Sequence, residues 1–320
     1  MKANSRTVFL SIAAAAVIYL SLAVWSNFGD VSEAFKQFTW WYFPIILGLT
    51  LTNYLIRFGT WQFYLSGLGI TTIPRKDSLL IYLSGFAMSI TPGKLGEVIR
   101  AFLLKRAHGV PVSRTGGLVL VDRLTDLAAL VIIASVGAIQ FSYGLKLLTV
   151  VAVGIIAILF IISHPKSMQK CITLLSKIPA LGKRTAKIEE LYKSTGVLLR
   201  PNKLIPILIF STISWSFEAF GFWLAMQGLG LETSIWSASF IYAFSTIIGA
   251  LSILPGGLGL TEGSMAGLLV LINVPKATAT ATTFIIRVAT LWFGVAIGAV
   301  CLAIFERRFK PQGEADMITR

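Results

Sequence analysis

The chain has 320 residues, 55% hydrophobic and only 13% charged, about half the charge content of a soluble domain, where about 25% is typical. Its formal charge of +14 is gathered in short Lys/Arg clusters between apolar runs, as orientation signals are, so no nucleic-acid partner is expected. With a mean hydropathy of +0.79 and recurrent apolar runs long enough for a bilayer core of about 30 Å, the sequence predicts an all-α polytopic membrane protein; the short alternating segments of a barrel are absent.

At the N-terminus, Lys2 and Arg6 precede an apolar run from Val8 to Trp25. The run is long for a signal-peptide core and no small-x-small site follows it, which predicts an uncleaved first span. Full spans are predicted over residues 7–26, 41–58, 116–139, 145–163, 204–226 and 277–304. Two further apolar regions, 78–104 and 235–273, are interrupted at Pro92-Gly93 and at Pro255-Gly256-Gly257. The pieces beside the first break are shorter than the roughly 20 residues a span needs. Both regions therefore read as Pro-Gly-broken re-entrant hairpins, a backbone that membrane depth tolerates only inside protein or around a wet cavity. The segment 164–203 carries nine Lys and Arg against Glu189 and Glu190. Ile188, Leu191, Tyr192, Thr195, Leu198 and Leu199 recur there at helical spacing, predicting a basic amphipathic loop at the cytoplasmic surface.

With an inside N-terminus, 21 of the 28 Lys and Arg residues lie on the cytoplasmic side, Arg57 among them, and three (Lys36, Lys146, Lys276) lie outside. Lys94, Arg100, Arg123 and Arg287 fall at membrane depth. This bias predicts a multi-pass membrane protein with both termini on the cytoplasmic side. Cys171 and Cys301 read as free thiols. His108 and His164 have no neighbours at metal-ligand spacing and read as solvated histidines, and no metal or other cofactor is expected.

The two breaks resemble each other. Pro92-Gly93-Lys94-Leu95-Gly96-Glu97 stands against Pro255-Gly256-Gly257-Leu258-Gly259-Leu260-Thr261-Glu262. Val110-Pro111 follows the first and Val274-Pro275 the second; Arg123 and Arg287 each come 12 residues after the later proline. Proline-to-proline spacing is 19 in one copy and 20 in the other. Four elements in one order predict an internal duplication with units 78–139 and 241–304. The charge topology opens the hairpins to opposite sides, which makes the repeat inverted, as in transporters whose broken helices meet near the midplane.

Intramembrane charge is costly, about 3 kcal/mol or more per residue at the bilayer centre. Here Lys94, Glu97, Arg100, Asp122, Arg123, Asp126, Glu262 and Arg287 concentrate in the duplicated unit, and Glu218 lies in an aromatic stretch of another span. Helical spacing pairs Glu97 with Arg100 and Arg123 with Asp126. Each residue alone reads equally well as a buried ion pair or as part of a site. The set points to a site, because packing does not require Pro-Gly, Glu and Arg in both copies. The helix breaks at Pro92, Gly93 and Gly96, and at Pro255, Gly256, Gly257 and Gly259, would turn free N–H groups and helix dipoles inward to receive an anion. Arg123 and Arg287 would add charge-assisted bonds to a phosphate. Lys94, Glu97, Arg100, Arg123, Asp126, Glu262 and Arg287 are thus the candidate substrate-binding residues. Gly257-x-Gly259 lacks a third glycine and no Walker Lys-Ser/Thr follows it, so no nucleotide site is expected.

The stretches "TPGKLGEVIRAFLLKR" and "LPGGLGLTEGSMAGLL", followed by the Arg287 helix, resemble the lysylphosphatidylglycerol synthase transmembrane region, a flippase-like family. Members fused to a cytosolic aminoacyl-transferase make aminoacylated phosphatidylglycerol and move it to the outer leaflet; others stand alone or accompany glycosyl-carrier-lipid pathways. The chain ends ten residues after Lys310, so no synthase half is expected, and the resemblance implies lipid translocation without enzymatic activity. The implied partners are a membrane phospholipid or polyprenyl-phosphate-linked lipid and a separate lipid-modifying synthase. The alternatives are a membrane transferase, or an accessory scaffold in glycosyl-carrier-lipid or aminoacyl-phospholipid synthesis.

Overall fold

A computed structural model describes residues 5–91, 96–138, 144–163, 195–252 and 254–309. In chain order the helices are α1 (Ser5–Trp25), α2 (Phe28–Gln37), α3 (Tyr42–Gly67), α4 (Arg75–Ser84), α5 (Gly96–His108), α6 (Val112–Gly137) and α7 (Gly144–Ser163). They continue with α8 (Pro201–Gly228), α9 (Ile235–Leu251), α10 (Leu260–Leu271), α11 (Lys276–Arg287) and α12 (Phe293–Arg308). Short 3₁₀ turns occupy Gly85–Met88 and Pro255–Gly257, and a π turn at Val288–Trp292 joins α11 to α12. No strand occurs among the described residues.

The punctuation of these helices is written in glycine, asparagine and proline. α3 ends where Gly69 adopts φ 69° and the Ile70 N–H reaches back to the Leu65 carbonyl at 2.9 Å, the left-handed stop that glycine makes cheap. Gly109 (φ 69°) and Asn273 (φ 66°) play the same part, each followed by Val-Pro, with Pro111 and Pro275 opening α6 and α11. The matched Val-Pro pairs therefore have one local structure in both places: left-handed stop, valine, proline, new helix.

By length and composition, α8 and the continuous 33-residue segment Lys276–Arg308 are fit to cross a membrane, and α1 with α2 forms a third span if that pair, bent by 93°, counts as one. The surface of the helices is oily: Val24, Leu55, Val150, Ile156, Ile209, Leu271 and Val300 are all exposed. Charged groups are buried instead, the inversion expected of a lipid-solvated protein.

α3 departs from expectation. Its predicted span ends at residue 58, but the helix runs nine residues further, to Gly67. The extension holds because Trp61, Tyr64 and Leu65 are buried in an apolar cluster with Leu104, Leu118, Ile207 and Phe305. A larger cluster joins Phe222, Phe240, Ile247, Leu269 and Ile286. His108 also departs: rather than standing alone, it lies with Nε2 at 3.5 Å from Asp77, which Arg308 holds at 2.8 Å. Of the basic loop, 164–194 lies outside the described residues, as do Cys171 and His164; Thr195, Leu198 and Leu199 are buried. Cys301 is a free, half-buried thiol.

Packing around the two breaks is reciprocal. α9, which enters the second break, packs on α6; α12, which closes the chain, packs on α4 and on the 3₁₀ turn of the first break. The second contact depends on Gly298: a Cβ there would stand 2.6 Å from the Phe86 carbonyl carbon and overlap the Ala87 nitrogen. Backbone cannot rotate away as a side chain can, so Gly298→Ala is expected to cost about 1–3 kcal/mol, the usual cost of overpacking. Gly48→Ala, with nothing within 4 Å of the added carbon, is expected to be neutral or stabilising. Thermal unfolding of both variants in detergent checks the contrast; equal midpoints would remove the close approach.

Candidate functional site

The second break is built on left-handed glycines. Gly256, Gly257 and Gly259 have φ of 61°, 68° and 86°, a region that L side chains enter only at a cost. Gly257 also lies against Gly249 of α9, whose Cα is 3.0 Å from where a Cβ would sit. This tight bend starts α10 at Leu260 and puts Glu262 in its first turn.

Glu262 is fully buried. One carboxylate oxygen accepts from the Gly259 N–H at 2.7 Å, capping the helix; the other accepts from Arg287 Nε at 2.6 Å. Arg287 Nη2 donates to the Gly256 carbonyl at 2.9 Å. Tyr19 of α1 also donates toward Glu262 (3.4 Å) and accepts from Trp292 Nε1 (2.9 Å). The sequence had led us to expect a vacant helix N-terminus waiting for an anion. The protein's own anion fills it, because a buried dipole end is satisfied more cheaply by a tethered carboxylate than by a ligand. The positive group offered to the interior is Arg287, of whose five N–H donors Glu262 and Gly256 engage two.

A second ion pair stands opposite. Arg57 of α3 grips Asp126 of α6 through two bonds of 2.7 Å and approaches Asp122 at 3.4 Å. Trp215 Nε1 donates to Asp126 at 2.9 Å and its ring lies 5.3 Å from the Arg57 guanidinium carbon. Asp126 therefore takes its bidentate partner from another helix, with Arg123 three residues earlier on its own helix also acting on it electrostatically; the planar fork of a guanidinium suits such a two-bond grip on a carboxylate. Arg57 itself is mostly buried between helices, its side chain 13% exposed.

Arg100 of α5 is buried in an aromatic cage. Its guanidinium carbon is 4.2 Å from the Tyr82 ring centre and 5.2 Å from that of Phe86, and Nε donates to the Tyr82 carbonyl at 3.1 Å. Gly85 leaves room for it, since a Cβ at that position would collide with the arginine. Pro92, Gly93 and Lys94 lie outside the described residues, as does the side chain of Glu97; Gly96 opens α5.

These parts converge. Arg57, Arg100, Arg123 and Arg287, from four helices, line one cavity of about 150 Å³ together with Asp126 and Glu218. Its wall includes Gly256 and Gly257 of the second break and Gly85, Phe86 and Ser89, which lead into the first. Of the candidate substrate-binding residues, Arg100, Arg123, Asp126 and Arg287 share this wall, and Glu262 stands behind Arg287.

Over residues 9–298 the chain matches the family described as Lysylphosphatidylglycerol synthase TM region. The chain belongs to that family. A UPF0104 membrane protein of Methanothermobacter thermautotrophicus is 24% identical over 309 residues, 91% of this chain and 92% of that protein. A UPF0104 membrane protein of Methanocaldococcus jannaschii is 26% identical over 234 residues, covering 72% of this chain and 99% of the relative. One of Pyrococcus horikoshii is 22% identical over 270 residues, 75% of this chain and 80% of that one. This member of the synthase TM-region family is accordingly a helical membrane protein. Its cavity wall holds residues that the sequence reading left out of the site: Asn53, Tyr54, Arg57, Trp215, Glu218 and Tyr242. A signal for them existed, since Tyr54, Arg57, Trp61 and Tyr64 recur at i, i+3, i+7 and i+10, one face of a continuing helix.

Proposed function

We propose that this protein moves a phosphate-containing lipid headgroup across a prokaryotic cytoplasmic membrane, with the headgroup in the arginine-lined cavity and its tails in the bilayer. The observation that carries this reading is the convergence of Arg57, Arg100, Arg123 and Arg287 on one interior space bordered by Gly256 and Gly257 of the second break and by Gly85, Phe86 and Ser89, which precede the first. Membership of a family described as a lysylphosphatidylglycerol synthase TM region supports a lipid as the cargo. In this reading there are about six spans with two re-entrant hairpins, both termini are cytoplasmic, and units 78–139 and 241–304 are an inverted pair. The reciprocal packing of α9 on α6 and α12 on α4, and the shared stop-Val-Pro structure, favour such a pair. Rocking of one unit against the other would expose the cavity alternately. The chain itself performs no covalent chemistry here; a separate synthase supplies the lipid, a phosphatidylglycerol derivative or a polyprenyl phosphate.

Each arginine of the cavity would contribute a charge-assisted hydrogen bond to the phosphate. Native mass spectrometry of the protein released from its membrane tests the reading. A co-purified phosphate-bearing lipid is expected on the native protein and at least about tenfold less of it on Arg123→Gln, since one such bond is worth about 1.5–3 kcal/mol. Equal retention of uncharged lipids, or no change in the variant, would count against it.

A further inference from the structure

Glu218 of α8 is a buried carboxylate on the cavity wall for which the headgroup site has no use. It accepts a short hydrogen bond from the Tyr242 hydroxyl of α9. Among the described residues it has no arginine or lysine in ion-pair contact, whereas Asp126 has Arg57 and Glu262 has Arg287. The elements packed against α8 are α3, α6, α9 and α11. The titratable and charged groups they turn toward Glu218 are Tyr54 and Arg57, Asp126, Tyr242 and Arg287, and Arg123 of α6 and Arg100 of α5 line the same cavity. Arg57 and Arg287 already hold another carboxylate. Among the described residues Glu218 is thus a cavity carboxylate whose hydrogen-bond partner is a phenol and not a cation.

A buried carboxylate with a hydroxyl for its partner has a standard resolution, which is to take a proton. A phosphate entering the same cavity would bring a second negative charge beside it, and like charges in one site are not both tolerated. We propose that Glu218 is a proton-binding site of this cavity, and that one proton binds to its carboxylate together with each anionic headgroup. The inference rests on the headgroup reading above. The balance is simple: a proton leaves solvent for a carboxylate oxygen when the anion enters and returns to solvent when the anion leaves. By linkage, the factor by which protonation strengthens anion binding equals the factor by which the anion strengthens proton binding. If the cavity opens alternately, each headgroup moves with one proton.

The test uses the full chain in phosphatidylcholine nanodiscs, weakly buffered with a pH-sensitive dye, and titrated with short-chain phosphatidylglycerol or with dimethyl phosphate, a soluble diester of the same charge. At a pH where Glu218 is ionised in the free protein, the native protein is expected to take up close to one proton per bound anion. Its affinity should fall about tenfold per pH unit once Glu218 is ionised in the free protein. Glu218→Gln should bind with no proton uptake and a flat pH profile. Binding of phosphatidylglycerol alone assigns the site to a lipid headgroup, and binding of both assigns it to the phosphate diester; either supports the proposal if the proton accompanies it. Native binding without proton uptake at every pH tested, or the same uptake in Glu218→Gln, overturns it. Infrared difference spectra across pH separate this from a failure of the headgroup reading. A carboxylic-acid C=O band that titrates in the native protein and is missing from Glu218→Gln upholds the proton site even where neither anion binds, and absence of that band overturns it.

Discussion

Arg57→Ala is expected to destabilise the protein by about 3–5 kcal/mol, the range for removing one partner of a buried ion pair. The magnitude follows from what is left behind. The Arg57 side chain is 13% exposed and that of Asp126 is 5% exposed, so neither bulk water nor lipid can take over the two 2.7 Å bonds. Asp122, at 3.4 Å, loses the same cation. Trp215 still donates one bond to Asp126, too little to offset a whole charge. The double variant Arg57→Met with Asp126→Leu should recover much of the loss, because it deletes both charges and keeps the volume. Thermal unfolding in detergent reads the difference against Ile205→Ala, an exposed apolar position on α8. An Arg57→Ala midpoint no lower than that control would mean that the pair does not hold α3 to α6.

Glu262→Ala is expected to be as damaging, through two losses at once. Arg287, its side chain 10% exposed, would be left as a buried cation with only the Gly256 carbonyl and the Tyr19 neighbourhood for support. The Gly259 N–H would lose its acceptor, a cap worth about 0.5–2 kcal/mol by itself. Glu262→Gln separates the terms. An amide oxygen can still accept from Gly259, so the cap survives while the counter-charge goes, and the penalty should fall between native and alanine. Arg287→Met should in turn relieve Glu262→Ala, leaving the double variant more stable than the single. Additive losses measured by the same unfolding assay would contradict the coupling.

Much of this could be read before any coordinates. The helical membrane class followed from composition, and the break residues Pro255 to Gly259 were marked by their own chemistry, since such a run of glycines has no place in a helix. The Val-Pro matches, read as elements of a repeat, each stand at the start of a helix in the structure. What escaped was whatever depended on which helix lies against which. The span over 41–58 stopped nine residues short, because the burial of Trp61 and Tyr64 that carries α3 on to Gly67 depends on other helices. Asp126 had a cation three residues away along its own helix, and sequence spacing cannot reveal that a cation 69 residues earlier also grips it through two bonds. The helix end at Gly259 looked vacant because nothing in a linear reading shows that Glu262 folds back onto it. Glu218 stood out as a charge among aromatics, yet only the packing of α8 against α3 and α9 brings it to the cavity.

The central claim is that a lipid phosphate passes through the arginine-lined cavity, and headgroup accessibility in proteoliposomes tests it most directly. Vesicles carrying phosphatidylglycerol or a polyprenyl phosphate would be assayed for transbilayer movement with native protein, Arg287→Ala and Glu262→Ala, each normalised to folded protein. The account expects the native chain to move at least one of these lipids, and both variants to be slower by about tenfold or more, the loss of one charge-assisted bond. Native rates in both variants for every lipid tested, or no movement above protein-free vesicles with the native chain, would contradict it.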